Sequence, residues 1–569
     1  MKKLRWQLII IFLTGLVVGA LLLSEQPTAQ PVFSTPVPET GGVYIEALVG
    51  SMQRLNPVLD YYNPPDHDVD RVIYSSLLRF DSRGLPQTDL AQSWGMSKDG
   101  TIYNFTLVAN ARWHDGKPVT AEDVVFTVNL LKNGGKYIPQ DLQVFWQDID
   151  VQALSDTVLQ FRLPEAYAPF QDYLTFGILP KHVFEGQNID QIARSDANLK
   201  PVGSGPYKVD RLLVENNKIT GVALSIFADY FKKKPFIEQI VFQYFPDEAS
   251  AWKAYRDGKV QGISQVSGDV LQGALAAQNL SVYTARKPEL YLVLFNHKDP
   301  QATFLREPAV RRALFQAINR SLIVNRVLKG QAVMANGPIM PDNWAYYADL
   351  EKLSFSTDTA KNGLRDAGYL PSQDKSGVRK KGDMILAFEL IHPDSEPYIS
   401  IAAQIVQDWA DIGVQVTATP LPYEQLLNDR LDLRSYQAAL VSLNLTQSYD
   451  PDPYSFWDQA QMTGGQNFSQ WDNRIASEYL EQARTSADFA ERVKLYRNFQ
   501  VIFSQEMPAL PLFYPVSSYA VDKQVQGISI GPLYDSSDRL ANIADWFLVA
   551  KKAAATPAGT VAPSTVPTK

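Results

Sequence analysis

One stretch late in the chain limits what the whole can become. From Ile401 to Ile412 apolar residues recur at helical spacing, the pattern stops at Gly413, and the chain passes at once into the alternating Val414 and Val416. Helix, glycine and strand in direct succession argue for α/β or α+β domains, not for a solenoid or an all-β barrel. Other segments use the same parts. Thr120 is a good N-cap, with Glu122 and Asp123 at the positive end of the helix and Val124, Val125, Val128 and Leu131 as its apolar stripe. Val310, Ala313, Leu314, Ala317, Ile318 and Leu322 predict a second helix that closes at Gly330. Val43–Val49 reads as a first strand, and Val72–Arg79 as a short helix or strand-like apolar segment. Asp99-Gly100, between Trp94-Gly95-Met96 and the alternating Tyr103, Phe105 and Leu107, reads as a hairpin turn.

A chain of 569 residues is too long for one core, since single cores stop growing near about 250–300 residues, so two or three domains are expected. With 45 % hydrophobic and 20 % charged residues, most of it should fold. A balance of 53 basic against 61 acidic residues, net charge -8, argues against nucleic acid as a partner. The chain has no cysteine, which removes disulfides, thiolate zinc sites, iron–sulfur clusters and cysteine nucleophiles. Its 10 Trp, 27 Tyr and 27 Phe suggest an aromatic-lined surface or cleft.

The two ends differ from the body. Lys2, Lys3 and Arg5 precede the uncharged run Trp6 to Leu23, an export signal whose end, Leu21 to Gln26, shows no small-x-small cleavage site. Residues 1–24 are therefore expected to stay as a membrane anchor with the N-terminus in the cytoplasm, a cleaved signal peptide being the alternative. Residues 25–42 hold Pro27, Pro31, Pro36 and Pro38 and read as a tether, and 551–569, rich in Ala, Pro and Thr, as a disordered tail. No internal repeat is visible between them.

Several groups invite a chemical reading. His114-Asp115-Gly116 sets imidazole beside carboxylate, but Asp-Gly just before a helix is turn chemistry. Gly203-Ser204-Gly205-Pro206 lacks the lysine and the helix of a phosphate loop. Asp66-His67-Asp68-Val69-Asp70 starts like a calcium loop, yet Arg71 stands where glycine is required and Leu77 where glutamate is, so a solvated loop is expected. His67, His114, His182, His297 and His392 show no paired metal spacing, and there is no Gly-x-Ser-x-Gly elbow. A pair of distant carboxylates acting as a hydrolase would be invisible at this level.

Motifs in a fixed order carry more weight. Leu55-Asn56-Pro57, Leu90-Ala91-Gln92-Ser93-Trp94, Tyr103 to Leu107, and Trp113-His114-Asp115-Gly116-Lys117-Pro118-Val119-Thr120-Ala121-Glu122-Asp123-Val124-Val125-Phe126 are followed by Gly203-Ser204-Gly205-Pro206-Tyr207. Then come Val310-Arg311-Arg312-Ala313-Leu314, Ala317-Ile318-Asn319-Arg320, Asp366-Ala367-Gly368-Tyr369 and Glu506 to Leu512. Together they resemble the family 5 solute-binding proteins, which carry peptides, nickel chelates and some oligosaccharides to ABC importers.

That resemblance implies an α/β, two-lobed periplasmic-binding-protein-like fold of class II, the large peptide-binding type, with an extra subdomain in the first lobe. It places lobe I at 43–295, lobe II at 296–510 and a return to lobe I at 511–550. Hinge strands are expected near Tyr291–Asn296 and Leu510–Tyr514, with the ligand enclosed between the lobes. The implied role is an extracytoplasmic substrate-binding protein, not an enzyme, delivering a peptide or similar polar oligomer to the permease subunits of an ABC importer. It would be monomeric, without cofactor or metal. An oligosaccharide binder of the same fold is the alternative, and a secreted hydrolase a more distant one.

The resemblance also nominates ligand contacts. In peptide-binding members a carboxylate in the stretch matching Tyr449-Asp450-Pro451-Asp452-Pro453-Tyr454-Ser455-Phe456-Trp457 pairs with the ligand ammonium. Asp450 is the nearest candidate, but the spacing sets Tyr449 at the position itself. Tyr454 belongs to the same stretch. Gly465 and Asn467 fall in a loop near the cleft, and Asn296 at the first hinge. The competing reading makes the aspartates turn caps and the amides main-chain partners. Asp450→Ala is expected to weaken binding with little cost to stability, and His114→Ala to leave affinity unchanged.

Overall fold

Val43–Val49 forms a strand and pairs in parallel with Gln239–Phe245, Val43 opposite Gln239. This pair lies in a twelve-stranded sheet whose hydrogen-bonded order is Gln415–Leu421, Ala387–Pro393, Ala438–Asn444, Glu289–Phe295, Ala509–Asp522, Gly262–Ile263, Val43–Val49, Gln239–Phe245, Lys218–Ile226 and Tyr207–Glu215. Leu280–Arg286 and Ala332–Met334 pair with Ala509–Asp522 off that path. The computed structural model describes residues 38–549 except 374–376 and 447–448. The expected anchor at 1–24, the tether up to residue 37 and the tail at 551–569 lie outside the described residues. All elements described below belong to the unit that begins at Thr40.

Two long stretches cross the middle of this sheet. Ala509–Asp522 pairs through Ala509 to Phe513 with Leu294 to Tyr291, then through Val516 to Asp522 with Arg286 to Leu280. The partner therefore changes between Arg286 and Glu289 on one chain segment and between Phe513 and Val516 on the other. The segments Tyr291–Asn296 and Leu510–Tyr514 run side by side next to that change.

Core side chains sort by sheet half. Tyr44, Phe105, Trp113, Trp146 and Phe242 share one core with Tyr519 and Trp546 of the returning chain. In the other half, Glu289–Phe295 sends Tyr291, Val293 and Phe295 into one core with Leu314 and Trp409, and Leu290, Leu292 and Leu294 into another with Tyr436 and Phe503. A strand buried on both faces needs the near-continuous apolar run this one has. Each large side chain withdrawn from water stabilises the fold by about 1.5–3 kcal/mol. Within the first half, Ala91–Met96, Ile102–Leu107, Val158–Arg162 and Asp150–Ala153 form a separate four-stranded antiparallel sheet. The fold is thus α/β and two-lobed.

The helix read from Thr120 runs Ala121–Lys132, and Asp123 accepts the Thr120 N–H at 2.8 Å and its hydroxyl at 3.0 Å. Tyr398–Ala410 and Gln415–Leu421 are the helix and strand expected around Gly413, whose φ of +81° lets the chain turn between them. Two expectations need correction. The helix predicted to continue to Gly330 ends at Ala317, because Ile318 is extended and Asn319 caps a new turn by accepting the Leu322 N–H at 3.0 Å. The segment Asp66 to Asp70 is not a solvated loop: it lies inside the helix Pro64–Ile73, and Asp66, Asp68 and Asp70 are all buried.

Candidate ligand cleft

Two prolines open the helix Pro64–Ile73, where a missing N–H removes nothing the first turn would use. Asp66 faces back from that first turn and accepts the N–H groups of Gln53 at 3.0 Å and Arg54 at 2.7 Å. Asp68 takes a forked pair from Arg539, at 2.5 and 2.8 Å, and Arg539 also donates to Glu46 at 2.7 Å. This ties the helix and the first strand to the returning chain. Arg71 reaches Asp538 at 2.9 Å. His67 lies between two carboxylates, Nδ1 at 2.8 Å from Asp60 and Nε2 at 3.1 Å from Asp535. Burial opposes charge on this imidazole, but Asp535 and Asp60 outweigh it and hold its pKa well above the ordinary histidine value.

Asp70 differs from its neighbours. It is 2 % exposed, and neither of its carboxylate oxygens has a hydrogen-bond partner among the described residues. The Asn56 N–H, which acts on Asp70 against its burial, donates to the Arg54 carbonyl at 3.1 Å. Burial, with the charges of Asp60 and Asp66 added, pushes the Asp70 carboxyl well above the usual carboxylate range.

The helix forms one wall of a cleft of about 580 Å³ between the two halves. Asp60, Tyr61, His67, Asp172, Tyr173 and Asp535 line it from the first half, and Asn444, Asp450, Asp452, Phe456, Gln466 and Arg484 from the second. A smaller recess of about 60 Å³ shares Asp60, His67, Asp172, Tyr173 and Asp535 with the cleft and extends to Asp70, Trp146 and Tyr449. Asp172 is 8 % exposed, and its Oδ2 accepts the Asp450 N–H at 2.7 Å. Burial, then the neighbouring charge of Asp450, raises its pKa well above normal.

The residues nominated from sequence fall in three places. Asp450 lines the cleft, yet its Oδ2 is 2.5 Å from Arg492 Nη2 and its Oδ1 accepts the Tyr496 hydroxyl at 3.2 Å. Its charge is already matched, and Arg492 is itself 7 % exposed. Removing Asp450 would strand that guanidinium, so the small stability cost expected for Asp450→Ala does not hold. Tyr449 lines the recess, stacked on Phe80 with ring centroids 4.1 Å apart. Tyr454 borders an adjoining hollow, under the Arg484 guanidinium at 4.2 Å from its ring centre.

Asn296, Gly465 and Asn467 line neither the cleft nor the recess. Asn296 gives its amide to the carbonyls of Arg434 and Tyr436, at 2.8 and 3.0 Å. Asn467 is fully buried and gives its amide to Asp458 and Trp471 carbonyls, at 2.9 and 3.0 Å. The Gly465 carbonyl accepts from Arg434 at 2.6 Å. His114 accepts the Gly203 N–H on Nδ1 at 3.2 Å and donates from Nε2 to the Gly205 carbonyl at 3.1 Å. Burial lowers its pKa to about 4, so it is a neutral structural group. Asp115 meets His182 at 2.8 Å.

Sequence reasoning missed Asp60, Asp70, Asp172 and Asp535. A signal existed for Asp70: Pro64-Pro65 starts a helix, and four-residue spacing then sets Asp66 and Asp70 on one face beside Val69, Val72 and Ile73.

Residues 86–467 match the family of bacterial extracellular solute-binding proteins, family 5 Middle. The chain is 24 % identical over 557 residues to the oligopeptide-binding protein AppA of Bacillus subtilis, covering 96 % of this chain and 99 % of that protein. It is 26 % identical over 524 residues to the dipeptide-binding protein of Escherichia coli, covering 85 % and 91 %. Among solved structures, HbpA2 of Haemophilus parasuis superposes with a TM-score of 0.78 at 21 % identity, over 90 % of this chain and 100 % of that one.

Proposed function

This chain belongs to the bacterial extracellular solute-binding proteins of family 5, and from that premise we propose that it captures peptides and delivers them to the permease of an ABC importer. The observation that carries the reading is the cleft of about 580 Å³, lined by both halves of a molecule whose chain crosses between them at two adjacent places. A cavity of that size, walled by aromatic rings and a few placed polar groups, suits a small polar solute. Relatives that span most of the chain include an oligopeptide-binding and a dipeptide-binding protein, which supports peptide among polar solutes. Bending about Arg286–Glu289 and Phe513–Val516 would close the halves on the ligand. Residues 1–24 would hold the body at the outer face of the membrane.

Thermal shift with dipeptides, tripeptides, oligosaccharides and nickel–histidine tests the solute. A ligand at 100 times its Kd stabilises the folded state by about 2.7 kcal/mol, so a peptide should raise the melting temperature clearly. A rise with an oligosaccharide and with no peptide would overturn the reading. The anchor is checked separately, by recovering the protein with membranes; mature protein beginning beyond Ser24 would show a cleaved signal instead.

A further inference from the structure

The cleft is acidic, but acidity alone does not identify a ligand, because most of its carboxylates already have partners. Asp60 and Asp535 share His67, Asp450 is paired with Arg492, and Asp452 lies 3.4 Å from Arg484. The recess behind them is different. Its two arginines are engaged, Arg71 with Asp538 at 2.9 Å, its Nε–H left over, and Arg79 with Asp89 at 2.9 Å. Among the described residues its aspartates Asp70 and Asp172 have no cationic partner within ion-pair distance, and neither Asp70 carboxylate oxygen has a hydrogen-bond partner. A buried carboxyl with neither hydrogen bond nor counter-charge costs stability in either protonation state, so its retention in a cavity wall calls for something that enters the cavity. The other walls are rings: Tyr61, Tyr74, Trp146, Tyr173 and Phe176. Aromatic faces attract cations. The Trp146 indole N–H is also unpartnered among the described residues.

We infer that this recess is a subsite for a cationic side chain of the bound solute, a lysine ammonium or an arginine guanidinium, with Asp70 as its counter-charge and Asp172 beside it. A volume of about 60 Å³ admits such a head group and excludes a whole peptide, so the main chain stays in the larger cleft. The inference rests on the peptide reading and narrows it to peptides with a basic residue.

Calorimetry on the full chain with Ala-Lys-Ala, Ala-Arg-Ala, Ala-Leu-Ala and Ala-Glu-Ala tests it. The basic peptides should bind at least about tenfold more tightly than Ala-Leu-Ala, a difference of about 1.4 kcal/mol. Asp70→Asn should collapse the ratio, and Asp172→Asn should reduce it. Asp70→Asn without ligand should melt at or above the wild-type temperature, because the replaced carboxyl has no side-chain hydrogen bond or ion pair to lose; a lower melting temperature with the ratio intact would make Asp70 merely structural and overturn the inference. Equal affinity of wild type for the lysine and leucine peptides would overturn it while leaving the peptide reading in place. Failure of all four to bind would sink the peptide reading. Butylammonium then decides the subsite alone: stabilisation of wild type beyond that of Asp70→Asn sustains it, and an equal response removes it.

Discussion

Arg492 reaches Asp450 from the helix Phe489–Glu506, and both are more than nine-tenths buried. Burial disfavours the guanidinium, but Asp450 outweighs it and keeps its pKa above the free value. A pair like this is costly to break by halves. Asp450→Ala should therefore lower stability in urea by about 3–5 kcal/mol, and adding Arg492→Leu should recover much of it. A loss of affinity with unchanged stability would instead return Asp450 to the role of a free ligand contact. His114 offers a contrast. His114→Ala leaves the Gly203 N–H and Gly205 carbonyl short of partners and should cost about 1–3 kcal/mol, with peptide affinity unmoved in calorimetry.

Among the elements, the helix Pro64–Ile73 carries the recess, and its seat is made by glycines. The Gly205 N–H donates to the Ile73 carbonyl at 2.7 Å, and a Cβ on Gly203 would lie 2.0 Å from that same oxygen. No side chain fits there without moving the helix. Gly203→Ala should lower stability by roughly 3 kcal/mol or more and weaken ligand binding with it, because His67 and Asp70 shift together. Denaturation and calorimetry on one preparation check both effects; a stable variant with normal affinity would show that the helix position is tolerant. The Gly203-Ser204-Gly205-Pro206 run, weighed from sequence as a phosphate loop and set aside, has this packing role.

For the molecule as a whole, buried carboxylates set the response to pH. Burial holds Asp66 and Asp452 at about 6, above the ordinary value of about 3.9. A carboxylate raised in this way favours the fold while protonated and costs stability as the pH rises through its folded value. Asp70 and Asp172 act with the same sign. His67, raised by Asp535 and Asp60 against its burial, also loses its contribution as the pH rises. Asp89 and Asp535 are lowered, by Arg79 and by His67 respectively, against their burial, and their contribution fades only below about pH 4. The melting temperature should rise by roughly 3–5 °C from pH 7.5 to about pH 5 and fall below that. A monotonic fall on acidification would contradict the charge assignments in the cleft.

Periodicity and turn chemistry determined where strand Val43–Val49, helix Ala121–Lys132 and helix Tyr398–Ala410 lie, because these depend on residues only a few positions apart. The order of the motifs carried the two-lobed α/β fold, which periodicity alone left at two or three domains. The cleft was legible only in part. Asp450 stood in a recognisable stretch, but its partner Arg492 is 42 residues away, and Asp172 meets it from 278 residues away. Asp70 looked like part of a solvated loop because composition shows charge without showing burial. Which carboxylates are matched and which are left bare is a property of distances between remote parts of the chain, and folding alone sets those distances.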